Sequence, residues 1–274
     1  MHYTLDGLVI REVAWGENDK RIVLLTASRG RVSVLAKGAR SMRSKYMNAT
    51  GLFTYGNYEI TERNGHAWLG GASVTEPFFG LRDDIDRLAL ASYVVDLAGE
   101  LSGEEEPAED ILRLTLNTLY AISKDIKPAP QIKATYELRA MADAGYLPDL
   151  SGCGVCGCGV KDCMYLDVMN GVLKCADCLN RLGAREIVTD DGPRTGQILV
   201  PCDMPTVAAA RYIFEAPLAR VLSAILDPSV MDQLSKMGEA YAIHHLEKRL
   251  SSLDFYHDVT RGAGRAAVFN PPMK

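Results

Sequence analysis

The chain has 274 residues, 47% of them hydrophobic and 24% charged, which allows a well-buried core in two or three domains and excludes wholesale disorder. Its formal charge is −5, from 30 basic and 35 acidic residues, so it is not a globally basic nucleic-acid coat. No apolar run approaches the ~18–20 residues of a membrane helix and the start lacks a leader pattern, so a cytoplasmic protein is expected.

Residues 4–76 read as five short strands. Leu5 to Ile10 alternate in polarity, and Gly16-Glu17-Asn18-Asp19 breaks the run. Residues 21–26 and 31–36 flank Ser28-Arg29-Gly30 as a hairpin, and residues 52–60 and 67–74 are joined through Asn64-Gly65. Five strands in this length predict a small barrel of the OB-fold type, with an SH3-like barrel as the other option.

Within this region the window Lys20 to Tyr58 holds eight Lys/Arg and no Asp or Glu, so the remainder carries 22 basic against 35 acidic residues, or −13. Such segregation creates a positive field that draws a polyanion. Lys37, Arg40, Arg43 and Lys45 lie on one Gly- and Ser-containing loop, with Arg29 and Arg31 in the preceding hairpin, and they are the candidate DNA-contacting residues. Solvated charges on strand faces are the plain alternative. Tyr46 is expected to stack on bases, while Trp15, Phe53, Tyr55 and Trp68 are expected to pack in or on the barrel.

From Pro77 the pattern is helical. Residues 83–101 carry Ile85, Leu88, Ala89, Ser92, Tyr93 and Val95 as an amphipathic stripe, with Asp83-Asp84 in the first turn. Further helices are expected after Pro107, over 131–144, 205–215 and 217–226, and from Asp227-Pro228 to Leu253. His244-His245 is read as a core-flanking and an exposed histidine, since adjacent helical residues point about 100° apart. The predicted division is a barrel over 1–80, a helical domain over 81–150 and 186–257, a metal-binding insertion over 151–185 and a flexible tail over 258–274, an α+β chain.

Cys153-Gly154-Val155-Cys156 and Cys175-Ala176-Asp177-Cys178 form two C-x2-C pairs separated by 18 residues. Two such knuckles close a tetrahedron of thiolates, the donor set preferred by a structural Zn²⁺ ion with no open position. Gly152, Gly154 and Gly157 are expected to supply unusual dihedrals to the first knuckle. Cys158 and Cys163 offer competing ligand sets, a redox C-x2-C is a second reading, and Cys202 stands alone. The sequence has no phosphate loop, no H-E-x2-H and no G-x-S-x-G, and no G-x-G-x2-G between a strand and a helix, which argues against an enzyme.

A barrel with a Lys37-Gly38-Ala39-Arg40 loop after its third strand, the early Gly7-Leu8-Val9-Ile10 and Arg21-Ile22-Val23 segments, following helices and a double C-x2-C insertion together resemble the bacterial RecO family of DNA repair proteins over roughly residues 4 to 255. The resemblance implies an OB-fold, a helical domain and a zinc element. It also implies a non-enzymatic role at the nucleoid: binding single- and double-stranded DNA, annealing complementary strands and, with RecR, helping load RecA on DNA coated by single-strand-binding protein (SSB), whose acidic tail such proteins bind. Lys37, Arg40 and the four cysteines match positions of that pattern, with Arg43 and Lys45 as neighbours; Cys158 and Cys163 depart from it. A zinc-ribbon RNA-binding or transcription-associated protein is the alternative, together with a scaffold whose loop binds an acidic protein.

Overall fold

The computed structural model describes residues 1–182 and 197–267. Five strands, β1 (His2–Trp15), β2 (Asp19–Thr26), β3 (Gly30–Ala36), β4 (Tyr55–Arg63) and β5 (His66–Glu76), close a barrel in the order β1-β2-β3-β5-β4. All neighbours are antiparallel except β3 and β5, which meet in parallel at Leu35 and Trp68. This closure is that of the OB-fold and removes the SH3-like option. The alternation foreseen along the strands places Val9, Ile22, Leu24, Val32, Val34, Tyr58, Ile60 and Leu69 inside.

The fourth strand begins at Tyr55, three residues later than the polarity pattern indicates. Phe53 is fully buried in the left-handed region (φ 67°), and its N–H and the Thr54 carbonyl pair with Val9, so the chain is pinned there before the ladder starts. Consequently the basic connection runs from Lys37 to Thr54.

Helices follow as α1 (Ile85–Leu101), α2 (Glu109–Ser123) and α3 (Ala129–Asp143). Asp84 caps α1, its carboxylate accepting from the N–H groups of Asp86 and Arg87, as the acidic pair predicted. The buried face of α1 is broader than the expected stripe: Ala89, Leu90, Ala91, Tyr93, Val94, Val95, Leu97 and Ala98 are all buried while Ile85 is exposed. A helix with so broad a buried face has several neighbours, here β1, α2 and the C-terminal helix.

The cysteine-rich segment forms a four-stranded sheet that the sequence pattern did not reveal: β6 (Asp149–Cys153), β7 (Met164–Asp167), β8 (Val172–Cys175) and β9 (Leu199–Cys202), in the order β6-β8-β7-β9, with α4 (Ala176–Leu182) after β8. Then come α5 (Met204–Glu215), α6 (Pro228–His245) and α7 (Ser251–Ala267). Two expectations are corrected. Residues 217–226 contain only a single 3-10 turn, Leu218–Arg220, and the final helix is broken into α6 and α7 around Glu247, whose φ is 51°. Helix α7 carries the chain to Ala267, well past residue 258, where a flexible tail is expected; residues 268–274 of that tail lie outside the described residues.

The chain forms two compact units, Met1–Ile126 with the chain from Leu250 onward, and Lys127–Arg249. In the first, the barrel docks on the α1–α2 connection through Gly30, whose φ is +55°. A Cβ there would stand 2.3 Å from the Gly103 carbonyl oxygen, so only glycine permits this approach.

Candidate nucleic-acid interface and candidate metal centre

The loop between β3 and β4 presents Lys37, Arg40, Arg43 and Lys45 with exposed side chains, and none of them pairs with a carboxylate among the described residues. The loop is nevertheless ordered. The Gly38 N–H donates to Asp19 Oδ1 at 2.8 Å, the Arg40 N–H donates to the Asn18 carbonyl at 2.9 Å, and Arg40 Nη1 donates to the carbonyls of Gly16 and Glu17 at 3.0 and 3.1 Å. Arg40 therefore locks the loop onto the β1–β2 turn while keeping its charge, since carbonyl acceptors do not neutralise a guanidinium.

Tyr46, the expected stacker, is half-buried and tied to the barrel. Its hydroxyl donates to the Gly70 carbonyl at 2.6 Å, its ring packs against the barrel core, and Lys45 Nζ lies 4.9 Å from the ring centroid. Trp15 is 49% exposed, with the Arg21 guanidinium 4.3 Å over its ring. Sequence reading missed this pair because they are six residues apart and meet only across the β1–β2 ladder.

Arg29 and Arg31 are turned towards the protein. Arg29 donates from Nε to Glu105 Oε2 at 2.8 Å, lies 2.5 Å from Glu105 Oε1 through Nη2 and 3.4 Å from Glu62, and covers the Tyr3 ring at 4.6 Å. The bonds to Glu105 hold its pKa above the ordinary guanidinium value. Arg31 is half-buried, and its Nε has no hydrogen-bond partner among the described residues. Replacing Arg29 with Ala is expected to lower stability by about 1–2 kcal/mol by releasing the hairpin from the α1–α2 connection. The salt dependence of polyanion binding should stay at the wild-type slope, as paired denaturation and binding titrations would register.

In the second unit, the sulfurs of Cys153, Cys156, Cys175 and Cys178 all lie within 4.8 Å of one another, and all but Cys156 are buried. Strand β6 ends on Cys153, β8 ends on Cys175, and α4 carries Cys178 one turn on. The Cys175 N–H donates to Cys153 Sγ at 3.3 Å, Cys156 and Cys175 sulfurs are 3.8 Å apart, and Arg181 Nη2 donates to Cys178 Sγ at 3.0 Å. Such donors favour sulfur in its anionic form, which fits a cation at the centre. Burial would raise the Cys153 thiol, but N–H groups of Cys156, Cys175 and Val155 overcome this and hold it down to about 6. Burial and the neighbouring sulfurs push Cys178 up to about 12. A tetrathiolate at neutral pH accordingly requires a cation.

Of the three glycines assigned unusual dihedrals in the first knuckle, only Gly157 has one, with φ +71°. Gly152 serves by lacking a Cβ, which would stand 2.5 Å from the Cys158 carbonyl, the acceptor of the Cys153 N–H. The competing cysteines fall outside the group: Cys163 is exposed, and Cys158 interacts with Cys156 and Cys175 without joining the four. Cys202 is buried on β9, where burial raises its thiol to about 12. His244 and His245 are both half-buried, His245 packing against Tyr146 and Tyr241, so the exposed member of the expected pair is not found. No helix among the described residues is long and apolar enough to cross a membrane.

Most of the chain matches known families. Residues 1–78 match the family described as "Recombination protein O N terminal", and residues 82–254 match "Recombination protein O C terminal". A protein of Acetivibrio thermocellus named DNA repair protein RecO is 32% identical over 256 residues, covering 93% of this chain and 96% of that protein. Its namesakes from Anaeromyxobacter sp. strain K and Myxococcus xanthus are 33% and 30% identical, covering 93% and 94% of this chain and 96% and 98% of theirs. With an OB-type barrel, a helical region and a four-cysteine cluster arranged as above, the chain belongs to the RecO family.

Proposed function

We propose that this chain is a DNA-binding mediator of repair and recombination, acting in the cytoplasm at the nucleoid without a catalytic step of its own. It binds single- and double-stranded DNA through Lys37, Arg40, Arg43 and Lys45, anneals complementary strands, and with RecR helps load RecA on DNA covered by SSB, whose acidic tail it contacts. One structural zinc ion on Cys153, Cys156, Cys175 and Cys178 holds the cysteine sheet together. The observation that carries this reading is the carboxylate-free cluster of cations on an ordered loop at one end of an OB-type barrel. Annealing needs two polyanions brought together, and such a loop lowers their repulsion without any nucleotide-driven step. The names of the relatives support the pathway, and the absence of phosphate-loop and protease motifs supports the non-enzymatic role.

The test is a salt titration. Each phosphate neutralised contributes about 0.7 to the slope of log affinity against log salt for single strands and about 0.9 for duplex. Lys37→Ala with Arg43→Ala should therefore reduce the slope by roughly one to two, weaken binding across sequences and slow annealing, with an unchanged melting temperature. Arg40 is left in place because it also holds the β1–β2 turn. Wild-type slope and affinity in the double variant would overturn the assignment, and tighter binding of RNA than of single-stranded DNA in the same titration would favour an RNA-directed role.

A further inference from the structure

The pairing of the barrel strands lines up a row of side chains on its outside. Val13 is opposite Arg21, Arg21 opposite Leu35, Leu35 opposite Trp68, and Trp68 opposite Thr61. Directly paired residues project from the same face of a sheet. Their sequence neighbours Ile22, Val34, Ala36, Ile60 and Leu69 fill the interior, so this row faces outward. Trp15 stands on the same face two residues beyond Val13, and the two are 49% and 47% exposed. From Val13 to the half-buried Trp68 the row crosses three strand spacings of about 4.8 Å, or about 14 Å measured around the barrel wall.

The basic loop touches the ground beside both tryptophans. Arg40 binds the carbonyls of Gly16 and Glu17, the two residues after Trp15, and Tyr46 binds the carbonyl of Gly70, two residues after Trp68. Arg21, over the Trp15 ring, has no carboxylate partner among the described residues. A partly apolar row that follows the curve of the barrel wall, punctuated by a cation and bordered by further cations, suits a flexible ligand with aromatic faces on an anionic backbone. A duplex hides its base faces, and an acidic peptide lacks them.

We infer that this outer row is a stacking track for unpaired bases, with Trp15 and Trp68 as its two platforms. The inference rests on the reading that the loop holds the phosphates of the same strand. It assigns preference for single strands to the barrel wall and sequence-independent grip to the loop.

The chain has only two tryptophans, so Trp15→Phe and Trp68→Phe each leave one reporter. Titration of the full chain with an oligothymidylate should quench emission in both variants, whereas an abasic oligomer of equal length should not. Trp15→Ala and Trp68→Ala should each weaken oligothymidylate binding by about 5- to 100-fold and leave the abasic oligomer and the salt slope unchanged. Should an Ala variant not fold, the quenching in the Phe variants carries the test. Equal affinity for the two oligomers, with no quenching, would overturn the stacking track while leaving the loop's phosphate grip intact. Failure of either oligomer to bind the wild-type chain would instead remove the phosphate reading and the track with it.

Discussion

Cys175→Ser should release the metal and unfold the knuckle side of the four-stranded sheet, and a strong chelator should do the same to the wild-type chain. Cys175 ends β8, is buried, and donates its N–H to Cys153 Sγ, so it joins the two knuckles through both backbone and sulfur. Metal binding in small thiolate sites contributes about 10–16 kcal/mol to ordering the peptide. Part of that is replaced here by burial: Leu150, Met164, Leu166, Leu173, Leu199 and Val200 are all buried, and β9 packs on α6. The loss should therefore be uneven. Amide exchange should accelerate in β6, β8 and α4 and rise less in β7 and β9, with barrel protection unchanged. Because the Cys178 thiol is pushed up to about 12 without a metal, protons compete for the site, and metal retention should fall as pH falls. Less than half an equivalent of metal after chelator-free purification, with all four strands protected, would count against a structural site.

Those parts of the fold governed by local pattern were legible. Alternation and the Asn64-Gly65 turn placed the barrel strands, Asp84 and Asp227-Pro228 placed helix starts, and the double C-x2-C drew out the four cysteines that the fold brings together. What depends on long-range pairing was not. The short strands β6 to β9 are four or five residues each and gain their order from one another and from α6, leaving no periodicity to read. Arg29 looked like part of the basic patch because its partner Glu105 is 76 residues away. Tyr46 looked free for the same reason, with Gly70 24 residues downstream. Charge composition identified the loop, but only the ladder registers separated cations that face solvent from those that bind the protein together.

A buried lysine on α3 is expected to have the largest effect of any single substitution outside the cysteines. Lys133→Ala should destabilise the second unit by about 3–5 kcal/mol, because it would leave a carboxylate buried without its countercharge. Lys133 is 1% exposed on α3 between Ile132 and Ala134. Its Nζ lies 2.8 Å from Glu137 Oε1, one turn along the same helix, and 2.7 Å from Glu239 Oε2 on α6. Glu137 is wholly buried, whereas the Glu239 side chain retains 23% exposure and can find water if released. Burial opposes the lysine's charge, but the two carboxylates outweigh it and raise its pKa above 10.5. A raised folded-state value means that this stabilisation is complete below 10.5 and is lost as pH climbs through the higher value. The penalty in Lys133→Ala comes from keeping the Glu137 charge buried after its countercharge is removed, which sets the decisive comparison. Lys133→Met combined with Glu137→Leu removes both buried charges, fills the space with apolar groups and should recover most of the stability. Urea unfolding of the two variants measures the difference. A double variant as unstable as Lys133→Ala would show that α3 and α6 depend on the ion pairs themselves, and a near-neutral Lys133→Ala would show that water reaches Glu137.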